Sequence, residues 1–193
     1  MEKIIKKINN GEELTTAEQL AFLELPERAE LLEKYSAKWP LGNEAELKLF
    51  EKPDKVALLK LYTSHWVLSF KAELMMLELP ERGDLWKTYL PEYGFGEDSE
   101  LKMFDLPECK EMLAVFVKKC FLSHEAEFKL LEHPEKLELL RILVKEWPLS
   151  KEAQLKMLEM PEREELLKVY LSEQEFYDFE VMSRAAKLGL DLV

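Results

Sequence analysis

The sequence is poor in the residues that most often carry chemistry. It has 193 residues with only two Cys and three His. His65, His124 and His133 share no spacing with each other or with cysteine that reads as a zinc site. There is no GxSxG, no phosphate-binding loop and no GxGxxG. No metal and no cofactor is therefore expected. No run approaches the ~20 apolar residues of a membrane span. The start, MEKIIKKINNGEEL, offers only Ile4, Ile5 and Ile8 as apolar residues, which makes no signal-peptide core. Cys109 and Cys120 are expected on one helix, roughly 16 Å apart at 1.5 Å per residue. That is beyond the ~7 Å Cα limit of a disulfide. Free thiols without an export signal point to a reducing cytoplasm. Alternating apolar runs are absent, so no β pattern competes with helix.

Positive charge is outnumbered. Lys plus Arg is 27 and Asp plus Glu is 39, a formal net charge of −12. Such an acidic chain is a poor direct partner for nucleic acid or anionic lipid, whose phosphates need cations. It suits a basic protein partner. The 47% hydrophobic content excludes a disordered chain. Gly, at six, and Pro, at nine, are few, and the Pro fall in a pattern.

Pro occurs at 26, 53, 80, 107, 134 and 161, always 27 residues apart. Other columns keep the same step. Leu14, Leu41, Leu68, Phe95, Leu122 and Leu149 precede the Pro by twelve residues. Tyr35, Tyr62, Tyr89, Phe116, Leu143 and Tyr170 follow it by nine. Trp39, Trp66, Tyr93, Cys120, Trp147 and Gln174 form a further column. These are six units in register without insertion, 14–40, 41–67, 68–94, 95–121, 122–148 and 149–175. Caps are expected at 1–13 and 176–193, with lone helices over 2–9 and 177–188.

Each unit reads as two short helices. The first is capped by Thr15, Ser69, Ser123 or Ser150, whose side-chain oxygen suits orphan N–H groups, or by Gly42 or Gly96. The second is expected to start at the Pro itself, which tolerates the first helical position. It then runs about eleven residues to the Trp column, with Glu27, Asp54, Glu81, Glu108, Glu135 and Glu162 at its positive end. Helices this short persist only by stacking on neighbours. The expected fold is all-α, a right-handed α-solenoid of six 27-residue two-helix repeats with terminal capping helices, in a single domain over 1–193.

The phrases Ala45-Glu46-Leu47, Ala72-Glu73-Leu74, Leu25-Pro26-Glu27-Arg28 and Leu79-Pro80-Glu81-Arg82 recur along the chain. In them the chain resembles short-period helical-repeat proteins of bacteria. These are similar to HEAT-type α-solenoids, although HEAT units run ~40–47 residues. Some HEAT-like proteins act as immunity proteins against secreted toxins. The resemblance implies a protein-binding role and carries over no functional residue. It also implies that second helices line the concave face.

Constant columns maintain a scaffold, and variable ones are free to carry function. One constant column is Gln19, Glu46, Glu73, Glu100, Glu127 and Gln154, which points into the apolar arc of the first helix. Either it supplies a hydrogen bond in every unit, to a Tyr or to backbone N–H groups, or it is a row of carboxylates for metal or proton chemistry. Repetition favours the first role, with pKa values raised by burial. An acidic ridge, Glu24, Glu51, Glu78, Asp105, Glu132 and Glu159, runs beside basic columns and reads as a solvated surface of weak ion pairs.

Variation concentrates on the second helix. Ala29, Val56, Gly83, Lys110, Leu137 and Glu164 form one variable column, and Glu33, Lys60, Lys87, Ala114, Arg141 and Lys168 another. The junction Leu90-Pro91-Glu92-Tyr93-Gly94-Phe95-Gly96 breaks the pattern. Pro91 is expected to kink or end its helix early, leaving Tyr93 or Phe95 exposed as an aromatic contact. Lys60, Lys87, Tyr93, Phe95, Lys110, Arg141 and Lys168 are thus the candidate partner-binding residues. Three functions follow: an immunity-like protein gripping a basic partner, an adaptor holding several partners, or an enzyme using the internal carboxylates or a metal. The oligomeric state stays open, with Leu188, Leu190, Leu192 and Val193 either capping the core or pairing two chains.

Overall fold

The computed structural model describes residues 2–175 and 178–190. The expectations resting on residues 176, 177 and 191–193, Leu192 and Val193 included, lie outside them. All regular structure among the described residues is helical. Packing divides the chain into two compact units, Met1–Tyr93 and Gly94–Val193.

The first unit contains α1 (Glu2–Asn10), α2 (Thr16–Phe22), α3 (Arg28–Ser36), α4 (Asn43–Leu49), α5 (Lys55–Thr63), α6 (Phe70–Glu78) and α7 (Arg82–Tyr93). Here α1, α3, α5 and α7 pack in succession, α2 lies on α4, and α6 on α7. The second unit contains α8 (Glu97–Met103), α9 (Cys109–Phe116), α10 (His124–Glu132), α11 (Lys136–Leu143), α12 (Lys151–Glu159), α13 (Arg163–Leu171) and α14 (Phe179–Lys187). In it α9, α11 and α13 form one layer, and α8, α10, α12 and α14 the other. The Tyr35 column is buried in every repeat, and Leu32, Leu59, Trp86, Leu113 and Leu140 are buried beside it.

The second helices start later than expected. Each Pro lies in a turn, and the helix begins two residues beyond it, at Arg28, Lys55, Arg82, Cys109, Lys136 and Arg163. The Arg28 N–H donates to the Leu25 carbonyl at 3.2 Å across Pro26, and the same bond recurs before each second helix. Glu27 has φ −83° and ψ 14°, the third position of a type I turn. Pro suits the second position because its ring fixes φ. Except for α7, which reaches Tyr93, the second helices also stop short of the Trp column. Cys120 accordingly lies beyond the end of α9 rather than on one helix with Cys109, and both remain thiols.

Two local expectations change. Three of the four predicted caps form: Thr15, Ser123 and Ser150 accept N–H bonds from Glu18, Ala126 and Ala153. Ser69 accepts none; its hydroxyl donates to Glu46. Pro91 does not end α7, which continues to Tyr93 over 12 residues. Pro91 stands only two residues from that end, where few helical bonds depend on it. Gly94, with φ +75°, follows in the left-handed conformation that commonly ends helices.

Two recurring bonds tie successive units of sequence together. The Glu46 carboxylate accepts the Ser69 N–H at 3.0 Å, Glu100 that of Ser123 at 2.8 Å, and Glu127 that of Ser150 at 2.9 Å. The Gln19 amide oxygen accepts the Gly42 N–H at 2.8 Å in the same register. Each bond satisfies an N–H at the start of the next first helix. The second bond runs the other way. Trp66 donates Nε1–H to the Ser36 carbonyl at 2.6 Å, and Trp147 to that of Val117 at 2.5 Å. These carbonyls end the preceding second helix, where no helical N–H remains for them. Gln174, in the same column, donates to Val144 at 2.6 Å, so the bond requires a donor rather than a ring.

Candidate functional site

The buried Glu/Gln column is a natural first place to look for chemistry. All six members are at least nine-tenths buried. Burial raises the pKa of Glu46, Glu100 and Glu127 above the usual carboxylate range. Yet each is engaged in holding backbone. Glu127 accepts both the N–H and the hydroxyl of Ser150. Glu73 accepts the Tyr89 hydroxyl at 2.6 Å, and that hydroxyl accepts the Leu68 N–H at 3.2 Å. Gln19 donates to Tyr35, which accepts the Leu14 N–H. Both partner classes expected from sequence, Tyr and backbone, are used. Among the described residues no three His, Cys, Asp or Glu side chains are grouped to hold a metal.

The acidic ridge neutralises itself. Lys48 and Lys52 reach Glu24 at 3.8 and 2.6 Å, Lys129 reaches Asp105 at 2.8 Å and Lys156 reaches Glu132 at 2.5 Å. Beside the Pro turns, Arg28 pairs with Asp54 at 2.6 Å and Lys136 with Glu162 at 3.1 Å. These pairs link one unit of sequence to the next and leave the ridge little net charge to offer. Exposed pairs of this kind contribute ~0–1 kcal/mol each.

The outward surface of the second helices differs. Positions three, seven and eleven after each Pro lie about one turn apart on one helical face. In the second unit these are Lys110, Ala114 and Lys118 on and after α9, Leu137, Arg141 and Lys145 on and after α11, and Glu164, Lys168 and Ser172 on and after α13. A cleft between α11 and α13 is lined by Leu137, Arg141, Glu165, Lys168, Val169 and Ser172. In the first unit a cleft between α5 and α7 is lined by Lys60, Thr63, Ser64, Thr88, Glu92 and Tyr93.

Five of the seven sequence candidates are exposed in or beside these clefts, three in the first unit and two in the second. Arg141 and Lys168 share one cleft, and Lys60 and Tyr93 the other. Lys87 stands beside them on α7 with its ammonium 5.5 Å from the Trp86 ring centroid. Tyr93 is 36% exposed and packs its ring 5.2 Å from Tyr89. Two candidates differ from expectation. Phe95 is half-buried and stacks on Phe116 at 6.4 Å, because it occupies the core column of Leu14 and Leu122. Lys110 is held by Glu135 at 2.9 Å and Glu138 at 2.6 Å, which raises its pKa and commits its charge within the fold.

Sequence reasoning passed over Lys118 and Lys145. The signal was present: the position eleven after each Pro reads Ala37, Ser64, Pro91, Lys118, Lys145 and Ser172, a third variable column in phase with the other two. Among the described residues no helix is long and apolar enough to cross a membrane. Comparison with protein-family models, curated proteins and solved structures gives no match.

Proposed function

We propose that this chain is a non-enzymatic protein-interaction module that holds a partner protein against the faces of its second helices. The observation that carries this reading is the division of its cations. On the ridge and at the Pro turns most are held in ion pairs, Arg163 being an exception. On the second-helix face Lys60, Lys87, Arg141 and Lys168 form no ion pair among the described residues and stand beside clefts and the exposed Tyr93. A scaffold needs its repeated bonds, and the cations beside the two clefts take part in none of them.

The architecture proposed with it is one right-handed α-solenoid of six 27-residue repeats with capping helices. Its support is that the carboxylate-to-N–H bond and the Trp or Gln bond recur at the 27-residue step within each unit. Solenoids of this kind bind through extended surfaces built from successive repeats.

The narrowest form of the proposal is an immunity-like protein that neutralises a basic partner in a reducing cytoplasm. A net charge of −12 draws a basic molecule from a distance. Glu97, Asp98, Glu125 and Glu152, in the first turns of α8, α10 and α12, form no ion pair among the described residues and could meet its cations. The two thiols support the compartment. An adaptor is the second reading, favoured by the different chemistry of the two clefts, one hydroxyl- and tyrosine-rich and one cationic. Affinity capture from the source cells separates them. A single protein recovered at 1:1, and lost with a Lys60→Glu, Arg141→Glu, Lys168→Glu variant, supports the dedicated binder. Several partners at different stoichiometries support the adaptor. Recovery of no protein, or only of a small molecule or metal, refutes the interaction reading.

A further inference from the structure

The second-helix face of the second unit is positive on a strongly negative chain. Arg141, Lys145, Lys168 and Lys118 are all exposed, and none forms an ion pair among the described residues. Local acids offset them only in part: Glu164 lies one turn before Lys168 on the same face, and Glu138 lies near Arg141. Glu138 is taken by Lys110 at 2.6 Å. Glu165 is the single acid lining the cleft that Arg141 and Lys168 share. The fold does not demand cations here, since Glu33 and Ala114 hold the same position seven residues after their Pro as Arg141 and Lys168. Position in the last helical turn suits a cation, yet α9 folds with Ala114 there.

We propose that the cleft between α11 and α13 is a docking site for an acidic segment of a partner protein, its carboxylates taken by Arg141 and Lys168 and its flanks by Lys145 and Lys118. This rests on the protein-interaction reading above and adds to it the chemistry of the docked segment. Arg141 offers a planar fork that matches a carboxylate with two parallel N–H bonds. Lys168 offers a point charge one helix away. Between them Leu137 and Val169 give an apolar floor for the stems of Glu or Leu side chains. Ser172 closes one end, its hydroxyl donated to the Val169 carbonyl at 2.7 Å so that its oxygen faces a ligand only as an acceptor.

A peptide fits this face better than nucleic acid does. Screening confines charge to about 8 Å at physiological salt, so a few seated carboxylates feel the local cations. A long polyphosphate must also cross the field of a chain carrying −12. The matching cleft between α5 and α7 sets Lys60 against Glu92 and carries no such excess. The site is therefore particular to the second unit. A partner that is basic overall is compatible with it, because long-range steering and the contact itself are set by different groups.

The test uses the full-length, 15N-labelled protein and a 14-residue peptide of alternating Glu and Leu. The expected result is amide shifts concentrated on α11 and α13, a shifted Arg141 Nε–H, and affinity that falls as salt is raised. Arg141→Glu with Lys168→Glu lowers affinity at least tenfold with an unchanged thermal melt, and Arg141→Gln with Lys168→Gln does so in part. Absence of binding, shifts on the ridge lysines Lys48, Lys129 and Lys156, or unchanged affinity in the double variant overturns the proposal. So does stronger binding at this face by a Lys/Leu peptide or by single-stranded DNA of equal charge. A double variant that still captures the partner protein refutes the acidic docking site and leaves the interaction module standing.

Discussion

Replacing Glu127 separates a structural carboxylate from a chemical one. Glu127 on α10 is 5% exposed and accepts the Ser150 N–H at 2.9 Å together with the Ser150 hydroxyl. Glu127→Leu removes the acceptor and leaves two donors at the start of α12 without a partner. An unsatisfied buried donor costs about 1–3 kcal/mol. Leucine recovers part of this, because it no longer buries a charge at neutral pH. A net loss of ~1–2 kcal/mol is expected. Glu127→Gln keeps an acceptor oxygen for the N–H, as Gln19 does for Gly42 at 2.8 Å. Its cost should stay below about 1 kcal/mol. Urea unfolding followed by circular dichroism measures both variants. Exchange of the Ser150 amide reports the site directly, faster in Glu127→Leu and near wild type in Glu127→Gln. Equal stability of Glu127→Leu and wild type, or equal damage from Gln and Leu, would refute the structural role.

The pH dependence of stability should be dome-shaped. Burial raises Glu46, Glu100 and Glu127, so their contribution is complete below the unfolded pKa near ~4.3 and lost as pH rises through the folded values. Asp54 beside Arg28, Glu24 beside Lys52 and Glu162 beside Lys136 are lowered. Their contribution is present above the unfolded pKa and lost as pH falls through the folded values. Urea midpoints should therefore rise on mild acidification from neutrality and fall at stronger acid, and a variant with Gln at 46, 100 and 127 should lose most of the rise. In the Trp column, Trp147→Phe should cost ~1 kcal/mol by deleting the bond to Val117, while Gln174→Trp should be tolerated; a harmless Trp147→Phe would remove the carbonyl-capping role. Burial raises both thiols, and Cys109 is 3% exposed while Cys120 is half-buried. A disulfide reagent should modify Cys120 first and Cys109 only on unfolding; equal rates would contradict the burial.

Much of the helical arrangement was legible because a repeat compares the chain with itself. The six Pro set the period, and the columns through Tyr35 and Glu46 are buried as their spacing implies. Several local features differ from expectation. Pro is compatible with both a first helical position and the second position of a type I turn. Only the Leu25 carbonyl bond to Arg28 N–H decides for the turn. The Trp column reads as aromatic, yet its carbonyl bond requires only a donor, as Gln174 shows by making the same bond. Exposure at the irregular junction was half right. Tyr93 left the Trp column's bond, whereas Phe95 kept the core position its column assigned. On the candidate face the variable columns were readable, but ion pairing was not. No spacing rule announces that Lys110 is tied to Glu135 and Glu138 while Arg141 stays unpaired.

Lysine footprinting of the captured complex tests the binding face most directly. Free protein and complex are acetylated in parallel and compared by mass spectrometry. Binding through the second-helix face predicts protection of Lys60, Lys87, Lys118, Lys145 and Lys168, with Lys48, Lys129 and Lys156 modified equally in both. Protection of the ridge lysines with an unprotected second-helix face would contradict it.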